Sequence, residues 1–382
     1  IQRISESVQI SCEEMGRRVN EYLMNWQVDA TSDQKLHSFY GSDKNGFLLE
    51  AHCPRFGTGE GKGMIADSVR GYDLFIICDV GAYQCTYKLY GREIPMTPDE
   101  HYADLKRIIA AVSGKAYRIN VIMPMLYEGR QHRRTSRESM DCAVMLQELV
   151  AMGVSNIITF DAHDPRVQNA IPLSGFESIM PTYQMLKAMC HTYDDLRIDK
   201  HHMMVISPDE GALNRNIYYS SAMGVDMGMF YKRRDYTRVV NGRNPIIAHE
   251  YLGDSVEGKD VFVADDIIAS GDSILDLAYN LKRRKAKRVF AGATFAFFTS
   301  GLEAFDKAYS EGIIDHVFAT NLTYTPKEVL DRPWFSQADM SKYMAFVIAT
   351  LNHDQSLSYL LNPWNRIEKL LTKYRADHPV ED

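Results

Sequence analysis

The run Val261-Phe262-Val263-Ala264-Asp265-Asp266-Ile267-Ile268-Ala269-Ser270-Gly271-Asp272-Ser273 leads into Ile274-Leu275-Asp276-Leu277-Ala278 and admits few folds. A short apolar stretch meets two adjacent carboxylates, and a loop of small and hydroxyl residues then opens a helical pattern. A buried strand, an acidic tip and a tight turn into a helix belong at the carboxyl end of a parallel sheet. Backbone N–H groups at a helix start favour an anion such as phosphate. Paired acids suit the hydroxyls of a sugar, or a divalent cation with hard oxygen ligands. A sugar phosphate would satisfy both halves. Taken alone, the motif is equally compatible with a surface turn whose Asp and Ser residues cap a helix.

The chain has 382 residues, more than a single core usually supports, so two domains are expected. A net charge of −7 speaks against a nucleic-acid binder driven by overall charge. The six cysteines are scattered, with no CxxC pair and no zinc-like spacing, as expected in a reducing cytoplasm. No stretch has the length and apolarity of a membrane span, and residues 1–6 lack the apolar core of a secretory signal. A soluble cytoplasmic protein is expected.

Residues 6–28 read as an amphipathic helix. From Gly46 onward, β-rich runs alternate with helical patterns. Strands are expected at 47–51, 74–78, 120–123, 157–160, 203–206, 261–264, 289–298 and 316–319. Helices are expected at 98–113, 140–152, 210–223, 274–284 and 301–310. This alternation predicts an α/β fold of parallel sheets covered on both faces. It runs twice, with a seam near 190–200. The expected organisation is an N-terminal helical extension (1–45), two domains (46–190 and 191–345) and a C-terminal helical segment (346–382).

Other junctions carry chemistry. Residues 126–139 place Arg130, Arg133, Arg134 and Arg137 just after a strand, and arginine forks bind phosphate oxygens bidentately. Asp161-Ala162-His163 ends another strand, where an acid and an imidazole suit a metal and a proton. Helix capping is the plainer explanation there. Ser207-Pro208-Asp209-Glu210-Gly211-Ala212 is a third strand–turn–helix junction, open to a diphosphate or to simple capping. Lys232-Arg233-Arg234 ends an apolar run, and its cations on a closing loop would offset charge developing in phosphoryl transfer. The basic run 282–288 reads as a solvated helix end that complements the helix dipole.

In this order the segments resemble the ribose-phosphate pyrophosphokinase (phosphoribosyl pyrophosphate synthetase) family over roughly residues 46–362. The resemblance rests on Arg55-Phe56-Gly57-Thr58-Gly59-Glu60, Arg70-Gly71-Tyr72-Asp73, Arg130-Gln131, Asp161-Ala162-His163, Ser207-Pro208-Asp209, Lys232-Arg233-Arg234 and Val256-Glu257-Gly258-Lys259 leading into Asp265-Asp266. Gln355-Ser356-Leu357-Ser358-Tyr359-Leu360 adds the family's closing segment.

The resemblance implies two tandem phosphoribosyltransferase-like domains, each a mostly parallel sheet flanked by helices. It implies transfer of the β,γ-diphosphate of ATP to the 1-hydroxyl of ribose 5-phosphate, releasing AMP, with Mg2+ required. Mapped by motif, Asp265 and Asp266 would hold the ribose hydroxyls. Ser270, Gly271, Asp272 and Ser273 would hold the 5-phosphate, and Ser207, Asp209 and Gly211 the diphosphate. Lys232, Arg234 and His163 would act in catalysis, with Asp161, His163 and Asp209 toward the metal. Arg130, Gln131 and Arg137 would bind ATP, and Phe56 and Glu60 the adenine of a neighbouring subunit. The implied assembly is a homo-oligomer built from dimers, commonly a hexamer, with no nucleic-acid or membrane partner.

Departures from the family pattern are specific. Ala269 replaces the third acid of the sugar-phosphate loop, Asp272 replaces its glycine, Ala212 replaces the second glycine of the diphosphate loop, and Thr58 replaces an acid of the adenine loop. A carboxylate at 272 is expected to turn outward. Three competing readings are another ribosyl acceptor, a non-catalytic regulatory subunit, and a phosphoribosyltransferase. The retained His163, Lys232, Arg234, Asp265 and Asp266 count against a silent subunit, and the doubled architecture against a transferase.

Overall fold

A computed structural model describes residues 3–8, 12–30, 46–234 and 246–379. The chain forms two compact units. The first holds residues 1–181, 321–324 and 339–361, and the second holds 182–320, 325–338 and 362–382.

In chain order, unit 1 runs β1 (Arg3–Val8), α1 (Glu13–Ala30), β2 (Leu48–Leu49), β3 (Ala51–His52), β4 (Met64–Ile65), β5 (Tyr72–Ile77), β6 (Thr86–Leu89) and β7 (Arg92–Pro95). It continues with α2 (Pro98–Val112), β8 (Arg118–Ile122), α3 (Asp141–Ala151), β9 (Asn156–Phe160) and β10 (Gly175–Ile179). Unit 2 begins with α4 (Thr182–Thr192), β11 (Met203–Ser207), α5 (Leu213–Met223), β12 (Asp226–Arg234), β13 (Ile246–Leu252), β14 (Asp260–Ile268) and α6 (Asp272–Arg283). It goes on through β15 (Arg288–Ala296), α7 (Glu303–Ser310), β16 (His316–Thr320), α8 (Lys327–Leu330) and β17 (Phe335–Ala338). Helices α9 (Ser341–Asn352) and α10 (Ser358–Leu361) belong to unit 1, and α11 (Trp364–Asp377) to unit 2.

Unit 1 carries a parallel sheet of order β10-β9-β8-β5-β1-β2. Unit 2 carries the order β13-β12-β11-β14-β15-β16-β17, parallel except for β13. The central strands are apolar on both faces because helices cover both. Leu74, Ile76 and Val121 pack with Leu105, Ile109 and Leu146, while Phe262 and Phe290 pack opposite Val261 and Val289.

Each sheet is clamped at the amino end of its central strands by the same device. In unit 1, Arg118 grips buried Asp73 with two N–H groups, at 2.9 and 2.6 Å, and reaches Asp354 at 2.8 Å. In unit 2, Arg288 grips Asp260 at 2.9 and 2.6 Å and reaches Asp195 at 2.8 Å. Asp73 is paired with Arg118, and Asp260 with Arg288, in strand register, so each clamp sets the alignment of its two strands.

The N-terminal expectation is corrected. Residues 3–8 form a strand paired with β5 and β2, and the helix begins at Glu13 rather than residue 6. The segment expected as a helical extension therefore completes the first sheet. The compact units also divide at other places than 45/46, 190/191 and 345/346. α4 packs on β16 and β17 and so falls in unit 2, whereas α9 packs on α1 in unit 1, where Trp26 stacks on Phe346 at 4.4 Å. The β6–β7 hairpin was missed in the sequence; its turn has φ of 49° at Tyr90 and 74° at Gly91, the mirror-type geometry that matches strand twist.

Candidate active site

The paired acids do not stand at the tip of β14. The strand runs on to Ile268, still paired with β15 through Asp265↔Ala293 and Ile267↔Phe295, whereas its pairing with β11 stops at Val263. The acids therefore lie on a stretch of β14 that has outrun one neighbour. Asn216 on α5 fixes the approach to them. Its amide donates to the Ala264 and Ala212 carbonyls, both at 2.8 Å, and its oxygen accepts the Ala264 N–H at 3.1 Å. Asn216 was not singled out in the sequence, because a lone Asn on a helix gives no signal until its partner strand is known.

Asp265 accepts the Asp266 N–H at 2.9 Å and lies 3.6 Å from the guanidinium of Arg215. Burial and the neighbouring Asp266 carboxylate push the Asp265 carboxyl up, to about 8, against the pull of Arg215. The oxygens of the two neighbouring acids suit the hydroxyls of a diol. The same hard oxygens equally suit a divalent cation.

The following loop is built for a sharp entry into α6. Gly271 has φ 94°, and a Cβ there would run into the Phe305 ring, so both backbone and packing demand glycine. Asp272 is the first residue of α6 and is exposed, accepting the Ser270 hydroxyl at 2.9 Å. The carboxylate stands in the helix's first turn, where it complements the dipole. Ser273 beside it is exposed as well.

After β11, the buried Ser207 hydroxyl donates to the Asp209 carbonyl at 2.8 Å. Asp209 in turn accepts the N–H groups of Gly211 at 3.0 Å and Ala212 at 3.2 Å. The carboxylate thus closes the turn that leads into α5, and the junction is preformed. Gly211 does not adopt positive φ, so Ala212 beside it places no strain on the turn.

Lys232 and Arg234 are on β12 rather than a loop. β12 pairs with β13 through Lys232↔His249 and Arg234↔Ile246, with an irregularity between Arg233 and Arg234. Their side chains lie outside the described residues, as do residues 235–245.

In unit 1, β9 ends at Phe160 and Asp161 turns the chain with φ 45°. Asp161 is buried, its N–H donating to the Ile179 carbonyl at 2.9 Å, whereas His163 is exposed. The two side chains therefore do not simply point together past the sheet edge. His163 instead lies beside His132 of the arginine loop, with ring centroids 5.4 Å apart. His132 is 3.5 Å from Asp164, which caps the following turn by accepting the Arg166 N–H at 2.9 Å. The Arg166 guanidinium holds the Asp164 carboxyl down, to about 2, while burial keeps His132 below its usual range. His132 was passed over in the sequence because the arginines around it dominated the reading. Arg130, Gln131 and Arg137 are all exposed on this loop.

Phe56 and Glu60 share a tight turn, closed by the Phe56 N–H to the Glu60 carbonyl at 2.8 Å. The turn is anchored by Arg55, which pairs with buried Asp104 at 2.8 Å, and by the Thr58 hydroxyl, which donates to Glu60 at 2.7 Å. Phe56 is 57% exposed, an unusual place for a large apolar ring.

Two family models match the chain: the N-terminal domain of ribose phosphate pyrophosphokinase over residues 11–153, and the phosphoribosyl transferase domain over residues 179–320. Among curated proteins, the chain is 30% identical over 319 residues to a ribose-phosphate pyrophosphokinase of Vibrio cholerae, covering 82% of this chain and 92% of that one. It is 29% identical over 317 residues to the Pasteurella multocida protein of that name, covering 81% and 90%. Among solved structures, phosphoribosylpyrophosphate synthetase from Mycobacterium smegmatis superposes with a TM-score of 0.72 at 18% identity, over 92% of this chain and all of the other.

Proposed function

This chain belongs to the ribose-phosphate pyrophosphokinase family, and from that membership we propose how the strand–turn–helix junctions of its two sheets divide the chemistry. The enzyme converts ribose 5-phosphate and ATP to 5-phosphoribosyl 1-diphosphate and AMP. In that reaction the 1-hydroxyl oxygen forms a bond to the β-phosphorus and the bond between that phosphorus and the α-phosphate oxygen breaks. AMP leaves with the electron pair, and the hydroxyl proton passes to solvent or a nearby base.

The acid pair carries the assignment. Asp265 and Asp266 lie on one stretch of β14, sharing charge and supported by Arg215 and Asn216. In our reading they hold the ribose 2- and 3-hydroxyls and thereby orient the 1-hydroxyl. Ser270, Gly271, Asp272 and Ser273, at the start of α6, take the 5-phosphate through backbone N–H groups and hydroxyls. The outward, exposed position of Asp272 supports this, because its carboxylate need not face the phosphate. Ser207, Asp209 and Gly211 face the diphosphate, on the turn that the Asp209 carboxylate holds.

Lys232 and Arg234, near the end of β12, meet the transferring group as charge builds in the transition state. Arg130, Gln131 and Arg137 bind the ATP phosphates, with His163 beside them. Phe56 and Glu60 hold adenine at a neighbouring subunit's site, a role supported by the exposed Phe56 ring; the oligomer this requires is dimer-based, in keeping with a hexamer. Among the described residues no three His, Cys, Asp or Glu side chains converge into a cation cage. Mg2+ takes one or two carboxylates and completes its shell with water and substrate phosphates. Asp161, with His163 two residues on, in unit 1 and Asp209 in unit 2 are each proposed as a separate contact for such an ion, which would neutralise phosphate charge.

AMP formation from ATP, Mg2+ and ribose 5-phosphate tests the assignment. Lys232→Ala and Arg234→Ala should each lower turnover by about 10²–10³-fold, with the ATP Michaelis constant little changed. Parallel losses in binding and turnover would make these residues substrate anchors instead.

A further inference from the structure

The turn that carries Phe56 and Glu60 is closed at its base by its own backbone. Arg55 pairs with Gly61 in an antiparallel bridge, and the Lys62 N–H donates to the Pro54 carbonyl at 3.0 Å. The Arg55 guanidinium donates to the Cys53 carbonyl at 2.8 Å and to the two Asp104 oxygens at 2.9 and 2.8 Å. Those bonds lie in the guanidinium plane and leave its faces without a partner. The ring of Tyr87, on the β6–β7 hairpin, covers one face, with the guanidinium carbon 5.3 Å from the ring centroid. Only 8% of the Arg55 side chain then meets solvent. Two residues along β6, Leu89 lies over Gly59, where a Cβ would stand 3.4 Å from a Leu89 methyl.

Tyr87 and Leu89 alternate along β6 and so share one face, whereas Thr86 and Lys88 on the other face are exposed. β6 and β7 form a two-stranded sheet of their own, and a lone hairpin is marginal in water. This one is anchored at its foot. Tyr87 packs against the small cluster of Ala82, Cys85 and Met96, and the Met96 N–H donates to the Cys85 carbonyl at 2.8 Å. The anchored hairpin therefore lays its inner face on both ends of the turn, at Arg55 and at Gly59. Backbone bonds close the turn, but its tilt is set by what presses on its side.

We propose that the β6–β7 hairpin braces the base-binding turn: Tyr87, through Arg55, and Leu89, through Gly59, are positioning residues that set Phe56 and Glu60 for the base of ATP, a role that rests on the assignment of Phe56 and Glu60 to adenine. Adenine presents an amine where guanine presents a carbonyl oxygen, so a displaced Glu60 carboxylate loses discrimination as well as affinity. Nucleoside monophosphate formation by the full chain, with ATP and separately with GTP, tests the brace. Tyr87→Leu and Leu89→Ala should each raise the ATP Michaelis constant about 10-fold at unchanged turnover, and lower the preference for ATP over GTP. Tyr87→Phe keeps the ring over Arg55 and should behave as wild type. A lowered melting temperature with the ATP Michaelis constant and the preference unchanged would leave the hairpin a folding role only and overturn the brace. Equal losses in Tyr87→Leu and Tyr87→Phe would overturn the ring's contact with Arg55 as the route. Phe56→Ala separates the brace from the assignment beneath it. If Phe56→Ala raises the ATP Michaelis constant and the hairpin variants do not, the brace alone falls. If Phe56→Ala leaves that constant unchanged, the adenine assignment falls and the brace with it.

Discussion

Six parallel strands follow the same order in both sheets, β13 being extra in unit 2, and a single acid shows how far the two differ. Reading outward from the clamps, β5 corresponds to β14, β8 to β15, and β1 to β11. Asp79 then stands six residues after Asp73, as Asp266 stands six after Asp260. In unit 1 the chain closes over this position. Asp79 accepts the Gly81 N–H at 2.8 Å, the Thr323 hydroxyl at 2.9 Å and the Tyr324 N–H at 3.2 Å. Its burial raises the carboxyl to about 6, while those donors pull it back down. In unit 2 the preceding residue is Asp265 rather than Cys78, so two acids crowd each other at the same place. One topological position has become a structural tie in one unit and a charged, ligand-ready pair in the other. The clamps at the opposite end of the strands are alike in geometry.

The largest effects should come from the feature the units share. Arg118→Met and Arg288→Met each strand a buried carboxylate, Asp73 or Asp260, and should cost about 3–5 kcal/mol in chemical denaturation. A loss confined to one of them would show that the clamps are not equivalent.

The divergent position should separate turnover from stability. Asp265→Ala should lower turnover by about 10²–10³-fold and leave the melting temperature at neutral pH unchanged or higher. Asp79→Ala should keep turnover but lose about 1–3 kcal/mol, because three donors lose their acceptor. If both variants affect the same quantity, the contrast between the units fails.

A smaller effect concerns pH. The Asp265 carboxyl is raised to about 8 in the folded chain, so the native state keeps a proton that the unfolded chain gives up near pH 4. Its contribution is intact at pH 4 and lost as pH rises through about 8. Because 28% of the side chain is open to solvent, we expect a modest slope. Asp265→Asn should flatten the fall in melting temperature between pH 5 and 8.5 by a few degrees, at about 2–4 °C per kcal/mol. Identical slopes would mean that Asp265 and Asp266 do not repel.

The smallest effect is expected from Asp272→Gly. An exposed acid in the first turn of α6 contributes about 0.3–1 kcal/mol through the helix dipole. The variant should therefore be slightly less stable, with the Michaelis constant for ribose 5-phosphate unchanged. A clear drop in that constant would place the carboxylate against the phosphate after all.

The sequence by itself determined the α/β alternation, the apolar central strands and the junctions that carry polar residues. These are local properties: strand and helix periodicities are written in consecutive residues, and Gly271 and the acid pair announce a turn and a charge wherever the chain puts them. Other features depended on distant partners. Residues 3–8 look unremarkable until β5 and β2 flank them, and Asn216 means little until Ala264 is opposite it. Residues 261–264 could not reveal that β14 outruns β11, since strand length depends on what the neighbour does. Asp79 and Asp266 are the same residue type at the same distance from their clamps. Only the tertiary structure decided that Thr323 and Tyr324 would satisfy one of them and that the other would share its charge with a neighbouring acid, because a carboxylate's role is set by the donors and charges folded around it.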